Sequence, residues 1–259
     1  MKEKLINIIK FVIILVFFFT LSSLLVLGIK SMGLAIIDYK DIVVISSATE
    51  VLLSVLIFAL YGTDLIKDKT ILKDNDIVKK IIKYFCMFWI IKILSSLVMA
   101  ALCAVGGFDI NISENQEAIN LYTTSAPILM LLTTSITTPI VEEGIFRLGI
   151  SKIIKNKYLF IITSGLVFGF LHIFPTDLNI IYALISSIPY VTMGMVLAYI
   201  YKKEDNIYYP MILHGLNNFI SMILFFYSWK NKKILYNRKK FWCYYERFIR
   251  KFNGVYLFT

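Results

Sequence analysis

The chain has 259 residues, of which 58% are hydrophobic and only 17% charged, and its mean hydropathy is +0.75. A water-soluble domain needs polar atoms to cover its surface, so this composition excludes an ordinary soluble globule and makes the bilayer the expected solvent. The net charge of +10 lies in short clusters between apolar runs, which reads as juxtamembrane anchoring on an anionic leaflet and argues against nucleic acid as a partner.

About 20 apolar residues are needed to cross ~30 Å of hydrocarbon. Seven runs are candidates, at about 8–29, 42–62, 81–105, 125–148, 158–174, 178–201 and 208–228. The expected fold is an all-α polytopic membrane helix bundle of about seven to eight transmembrane helices. The first run follows Lys2, Lys4 and Lys10 and lacks an A-x-A-like cleavage site, so it reads as an uncleaved anchor. The fifth is short, with room to begin earlier, near Lys155.

Loop charge sets orientation. The 63–80 connection carries Lys67, Lys69, Lys73, Lys79 and Lys80, the 149–157 turn carries Lys152, Lys155 and Lys157, and the 202–206 turn begins with Lys202 and Lys203. The 106–124 connection has no Lys or Arg. The positive-inside rule therefore places the N-terminus and all these basic connections in the cytoplasm. Seven crossings would then leave the last 30 residues outside, although they include Arg238, Lys239, Lys240, Arg247 and Arg250 interleaved with Trp242 and Tyr244. That conflict with the rule stands at this stage, and the segment reads as interfacial. Cys86, Cys103 and Cys243 show no C-x-x-C spacing and read as small apolar fillers.

Ionisable groups in apolar runs are costly, at about 2.5–3.5 kcal/mol each on insertion scales, and need a partner or a purpose. Glu142, Glu143 and Arg147 end the fourth run, His172 lies late in the fifth, and His214 opens the last, followed by Asn217 and Asn218. Glu143 and Arg147 are four apart, on one helix face and in the favourable acid-first order. Glu142 is rotated about 100° from Glu143, so it is free to face another helix. His214 and Asn218 share a face, and Phe168 sits one turn before His172. A desolvated carboxylate and imidazole make a plausible base and acid for activating water, with His214 and Asn218 as neutral donors to an oxyanion. Alternatively, Glu142, His172 and His214 hold a divalent metal such as zinc, with water in the open position. No HExxH is present, and spacing alone leaves both mechanisms open. Glu50 and Lys92 read as a structural pair across the second and third runs, against a proton path as the alternative.

At these residues the sequence resembles the CPBP family of intramembrane peptidases, which groups CAAX prenyl endopeptidases with bacteriocin-processing and self-immunity proteins. The family's EExxxR motif reads Glu142-Glu143-Gly-Ile-Phe-Arg147, its FxxxH motif Phe168-Gly-Phe-Leu-His172, and its HxxxN motif His214-Gly-Leu-Asn217-Asn218. The resemblance covers about residues 120–222. It implies an all-helical membrane endopeptidase in which Glu142 and His172 activate water while His214 and Asn218 stabilise the oxyanion. Glu143, Arg147 and Phe168 are supporting residues, and the family's mechanism is described both with and without a metal. The chain divides into N-terminal transmembrane helices (1–119, three crossings), a catalytic helical core (120–228) and a basic aromatic tail (229–259). Its expected partners are the lipid bilayer and a peptide or protein substrate in or at the membrane, such as a bacteriocin precursor or an exported signal. The competing readings are a non-catalytic self-immunity or scaffold protein and a small transporter. Abundant Lys, Ile and Asn suggest a bacterial plasma membrane, where CAAX prenylation is not expected.

Overall fold

The computed structural model describes residues 2–36, 38–110, 114–173 and 179–231. The basic aromatic tail from residue 232 onward lies outside the described residues. Among these residues the chain is all helical: α1 (Lys2–Ser31), α2 (Tyr39–Asp68), α3 (Ile77–Gly106), α4 (Glu114–Ser125), α5 (Pro127–Ile153), α6 (Lys157–Leu171), α7 (Ile180–Glu204) and α8 (Tyr208–Asn231). Six of them, α1, α2, α3, α5, α7 and α8, are long and apolar enough to cross a membrane. The chain is an integral membrane protein, and its outer faces carry apolar side chains such as Leu5, Val12, Phe19 and Leu27 on α1 and Ile90, Leu94 and Leu97 on α3.

The seven apolar runs thus resolve into six long helices and one short one. The Asn156 side chain caps α6 by accepting from the Tyr158 and Leu159 amides, so the helix starts at Lys157 and has 15 residues. At 1.5 Å per residue it is about 22 Å long, short of the ~30 Å hydrocarbon core. It is the one apolar helix of 10–17 residues among the described residues.

The basic connections gather at one end of the bundle. Lys152 at the end of α5 pairs with Asp64 near the end of α2, at 2.5 Å. Lys80 in the first turn of α3 pairs with Glu204 at the end of α7, at 3.0 Å, and with Asp74, at 2.8 Å. Tyr84 donates to Glu204. Asp68 accepts from the Ile207 amide at 2.8 Å, and Lys10 of α1 donates to the Leu60 carbonyl at 2.8 Å. These contacts put the lysine clusters of three connections at the same end of the bundle.

Among the described residues, the two largest of three buried clusters hold most of the helices together. Ile14, Leu53, Ile57, Val141, Phe146, Phe168 and Ala198 join α1, α2, α5, α6 and α7, while Phe88, Met193, Leu197 and Leu213 join α3, α7 and α8. The α6–α7 contact is backbone to backbone. A Cβ at Gly169 would stand 2.5 Å from the Val191 amide nitrogen, so only glycine allows this approach. Small residues four apart, here Gly165 and Gly169, commonly let membrane helices touch.

Candidate active site

α5 is not a regular helix where the two glutamates lie. Segments Thr133–Thr137 and Gly144–Gly149 are π-helical and flank a six-residue α-helical stretch, Thr138–Glu143. Pro139 explains the consequence at the first of them. The Thr138 amide bonds to Thr133, and Pro139 has no N–H, so the Thr134 carbonyl has neither of its ordinary helical donors. α8 docks there: Asn218 Nδ2 donates to the Thr134 carbonyl at 2.9 Å. A Cβ at Gly215 would meet the Ser135 carbonyl at 2.6 Å, so a glycine beside His214 lets α8 come this close.

Glu143 and Arg147 are completely buried. Arg147 Nη2 donates to Glu143 Oε1 at 3.3 Å, and Nε lies 2.9 Å from Oε2, out of line for a hydrogen bond, so that contact is coulombic. Arg147 also donates to Ser164 at 2.9 Å and lies over the Phe168 ring, 5.1 Å from its centroid. This fixes the state of the next group. Glu143, paired with a guanidinium, is an acceptor, so His214 Nδ1, 3.0 Å from Glu143 Oε1, carries a proton and donates it. His172 caps the end of α6. Its Nδ1 donates to the Phe168 carbonyl at 2.8 Å, and its ring packs between Phe168 and Tyr190, at centroid distances of 4.4 and 5.1 Å.

With both Nδ1 atoms engaged, both Nε2 atoms face Glu142. Glu142 Oε2 lies 3.9 Å from His172 Nε2 and 3.8 Å from His214 Nε2. Glu142 Oε2 is buried and accepts no hydrogen bond among the described residues. In the neutral rings each Nε2 is a lone pair, so three acceptors converge with no donor between them. All three residues line one cavity of about 620 Å³, together with Asn217 and Asn218.

Residues 124–220, which contain all three motifs, match the family of type II CAAX prenyl endopeptidases, Rce1-like. "UPF0177 protein YvdC" of Lactococcus lactis is 31% identical over 178 residues, 66% of each chain. This region, residues 124–220, belongs to the CPBP family. "Putative membrane peptidase YdiL" of Bacillus subtilis is 32% identical over 115 residues, 43% of each chain. An uncharacterized protein of Mycoplasma capricolum is 34% identical over 99 residues, 38% of this chain and 27% of that one. The matches thus span just under two thirds of the first relative and less than half of the other two. No solved structure matches. The family whose model matches is one of endopeptidases, and one relative carries the name of a membrane peptidase.

Two sequence expectations change within the CPBP site. His214 is not a neutral donor at Nε2: with Nδ1–H given to Glu143, Nε2 donates only in the imidazolium form. Nor do Glu50 and Lys92 pair. Lys92 Nζ donates to Asn217 Oδ1 at 2.9 Å and lies 4.6 Å from the centre of the Trp89 ring, and no ion pair joins it to Glu50 among the described residues. Asn217 Nδ2 then donates to Asn218 Oδ1 at 3.1 Å. Lys92 is a donor-only group at one end of this chain, and the Thr134 carbonyl an acceptor-only group at the other. Together they fix both amides, with one Asn218 N–H left over. Lys92 is thus a site residue that sequence alone assigned elsewhere.

Two imidazole nitrogens and a carboxylate oxygen are a donor set that zinc takes. Neighbouring ligand atoms of tetrahedral zinc stand about 3.3 Å apart. The separations here are 3.9 and 3.8 Å, and among the described residues no three His, Cys, Asp or Glu side chains are grouped to hold a metal ion. The residues as placed do not form a metal site.

Proposed function

We propose that the chain is an intramembrane endopeptidase that hydrolyses a peptide bond of a membrane-associated or exported peptide, with Glu142 as general base. The observation that carries this reading is the convergence of Glu142 Oε2 and two imidazole Nε2 atoms, at 3.8 and 3.9 Å, in one cavity among helices long and apolar enough to cross a membrane. Glu142 Oε2 and the His172 Nε2 at this separation can share one water that donates to both at about 2.8 Å.

The reaction follows from the groups. Water donates to Glu142 and to His172 Nε2, which orients it. As the water oxygen bonds to the scissile carbonyl carbon, Glu142 takes its proton and the carbonyl electrons move to oxygen. The oxyanion accepts from the Asn218 N–H that Thr134 does not use and, when the His214 ring has taken up a second proton, from its Nε2–H. The carbon–nitrogen bond then breaks, and the proton held by Glu142 passes to the leaving nitrogen, restoring the carboxylate. Phe168 and the Glu143–Arg147 pair hold the two rings in place.

The catalytic unit is the 120–228 core, packed on the helices of 1–119. The membrane is a bacterial plasma membrane with the N-terminus in the cytoplasm, in keeping with the lysine clusters gathered at one end. The substrate class is a bacteriocin precursor or an exported signal peptide.

The test is cleavage of a peptide library by the detergent-purified protein, with and without a chelator, beside Glu142→Gln and His172→Ala. Chelator-insensitive cleavage by the wild type, lost in both variants, is the expected result. Cleavage that the chelator abolishes would install a metal at Glu142, His172 and His214. A wild type that cleaves nothing would leave the non-catalytic immunity or scaffold reading.

A further inference from the structure

Glu50 lies in the middle of α2, facing α5. Ser47, three residues earlier, accepts a hydrogen bond from Thr133 of α5 at 2.8 Å, which turns this face of α2 toward the site. Ser46 and Glu50, one turn apart, line the same cavity as Glu142, His172 and His214. Glu50 Oε2 is shut off from the surface and accepts no hydrogen bond among the described residues. It makes no ion pair among the described residues.

The other charges around the cavity leave it unmatched. The Glu143 charge is taken by Arg147. Lys92, the one Lys or Arg side chain lining the cavity among the described residues, is committed to Asn217 and the Trp89 face. Two carboxylates, Glu142 and Glu50, therefore face the cavity against one ammonium. A carboxylate at this depth is costly unless something answers it. Glu142 has the two imidazoles within reach. Glu50 Oε2 has no donor among the described residues.

We propose that Glu50 forms a subsite for a cationic group of the peptide substrate, an ammonium or guanidinium seated beside the scissile bond. This rests on the peptidase reading and adds to it a substrate class: peptides carrying Lys, Arg or a free amino terminus near the cleaved bond. Such a cation supplies the charge-assisted donors that Oε2 lacks. An isosteric neutral side chain supplies none and leaves the carboxylate desolvated and bare, so discrimination comes from both sides of the comparison.

Two peptide sets separate the sources. In the first, N-acetylated peptides carry Lys or norleucine at each position flanking the cleaved bond. In the second, one sequence is compared with its amino terminus free and acetylated. The wild type, Glu50→Gln and Glu50→Asp are read by kcat/KM. Binding of the same peptides to Glu142→Gln, with and without Glu50→Gln, is read by fluorescence anisotropy. The expected result is a preference for the cationic member of about tenfold or more in one set. That preference is retained by Glu50→Asp and brought near unity by Glu50→Gln, in cleavage and in binding alike. Equal use of cationic and neutral peptides by the wild type overturns the subsite, as does a preference that survives Glu50→Gln. Glu50-dependent tighter binding of the cationic peptide without any cleavage overturns the peptidase reading and leaves the subsite standing. Cleavage without preference does the reverse.

Discussion

Glu142 and Glu143 are neighbours in sequence with opposite structural duties, so the same substitution at each should separate stability from catalysis. Glu143 is completely buried against the completely buried Arg147 and also accepts from His214. Removing one partner of a buried ion pair costs about 3–5 kcal/mol, because the other charge is left bare. A glutamine keeps the shape and one acceptor oxygen, so the lower end, about 3 kcal/mol, applies to Glu143→Gln. Glu142 Oε2 has no hydrogen-bond donor among the described residues. Glu142→Gln therefore breaks nothing in the resting fold and should change stability by less than about 1 kcal/mol, or raise it. At roughly 2–4 °C per kcal/mol for a chain of this size, Glu143→Gln should lower the unfolding midpoint by about 6–12 °C, and Glu142→Gln should stay within about 4 °C of wild type. Tryptophan fluorescence during thermal unfolding in one detergent reads both. Equal losses in the two variants would refute the division of labour.

Further outcomes follow from other parts of the molecule. Gly169→Ala places a Cβ 2.5 Å from the Val191 amide nitrogen, which cannot yield without parting α6 from α7. It should cost about 1–3 kcal/mol and, by shifting His172 three residues on, lower kcat, as thermal unfolding and peptide turnover will show. Lys92→Met should lower kcat about tenfold with KM little changed, by loosening the Asn217–Asn218 amides, while Lys92→Arg retains most of the rate. Steady-state kinetics of the two variants on one peptide decides it. Hydrogen bonds from Lys80 and Tyr209 hold the Asp74 carboxyl at about 2, below its ordinary 3.8. A lowered value means stabilisation that is fully present above pH 3.8 and lost as the pH falls toward 2. Asp74→Asn should thus lower the unfolding midpoint at neutral pH and flatten the fall between these values, measured by a pH series of melts.

Much of the site was legible because helical spacing carries it. The i, i+4 step from Glu143 to Arg147 yields an ion pair, and the same step from Phe168 to His172 yields a ring contact and a capped carbonyl. What spacing along one helix cannot show is a contact supplied by another. The proton on His214 Nδ1 is fixed by Glu143 of α5, and Lys92 of α3 is claimed by Asn217 of α8. Pro139 was the one local sign of the irregular α5, since it removes the amide that would have closed the turn; the second π segment, Gly144–Gly149, has no comparable signal. The early end of α6 was likewise hidden, because the apolar run continues past Leu171 while the helix stops there.

The central claim is that Glu142 activates the water that cleaves the peptide bond. It is tested most directly by single-turnover cleavage of one peptide by wild type and by Glu142→Gln at saturating enzyme, with peptide binding measured in parallel. A base acting in the transition state requires the cleavage rate to fall by about 10²–10⁴-fold while binding is retained. Cleavage by Glu142→Gln at the wild-type rate would contradict it.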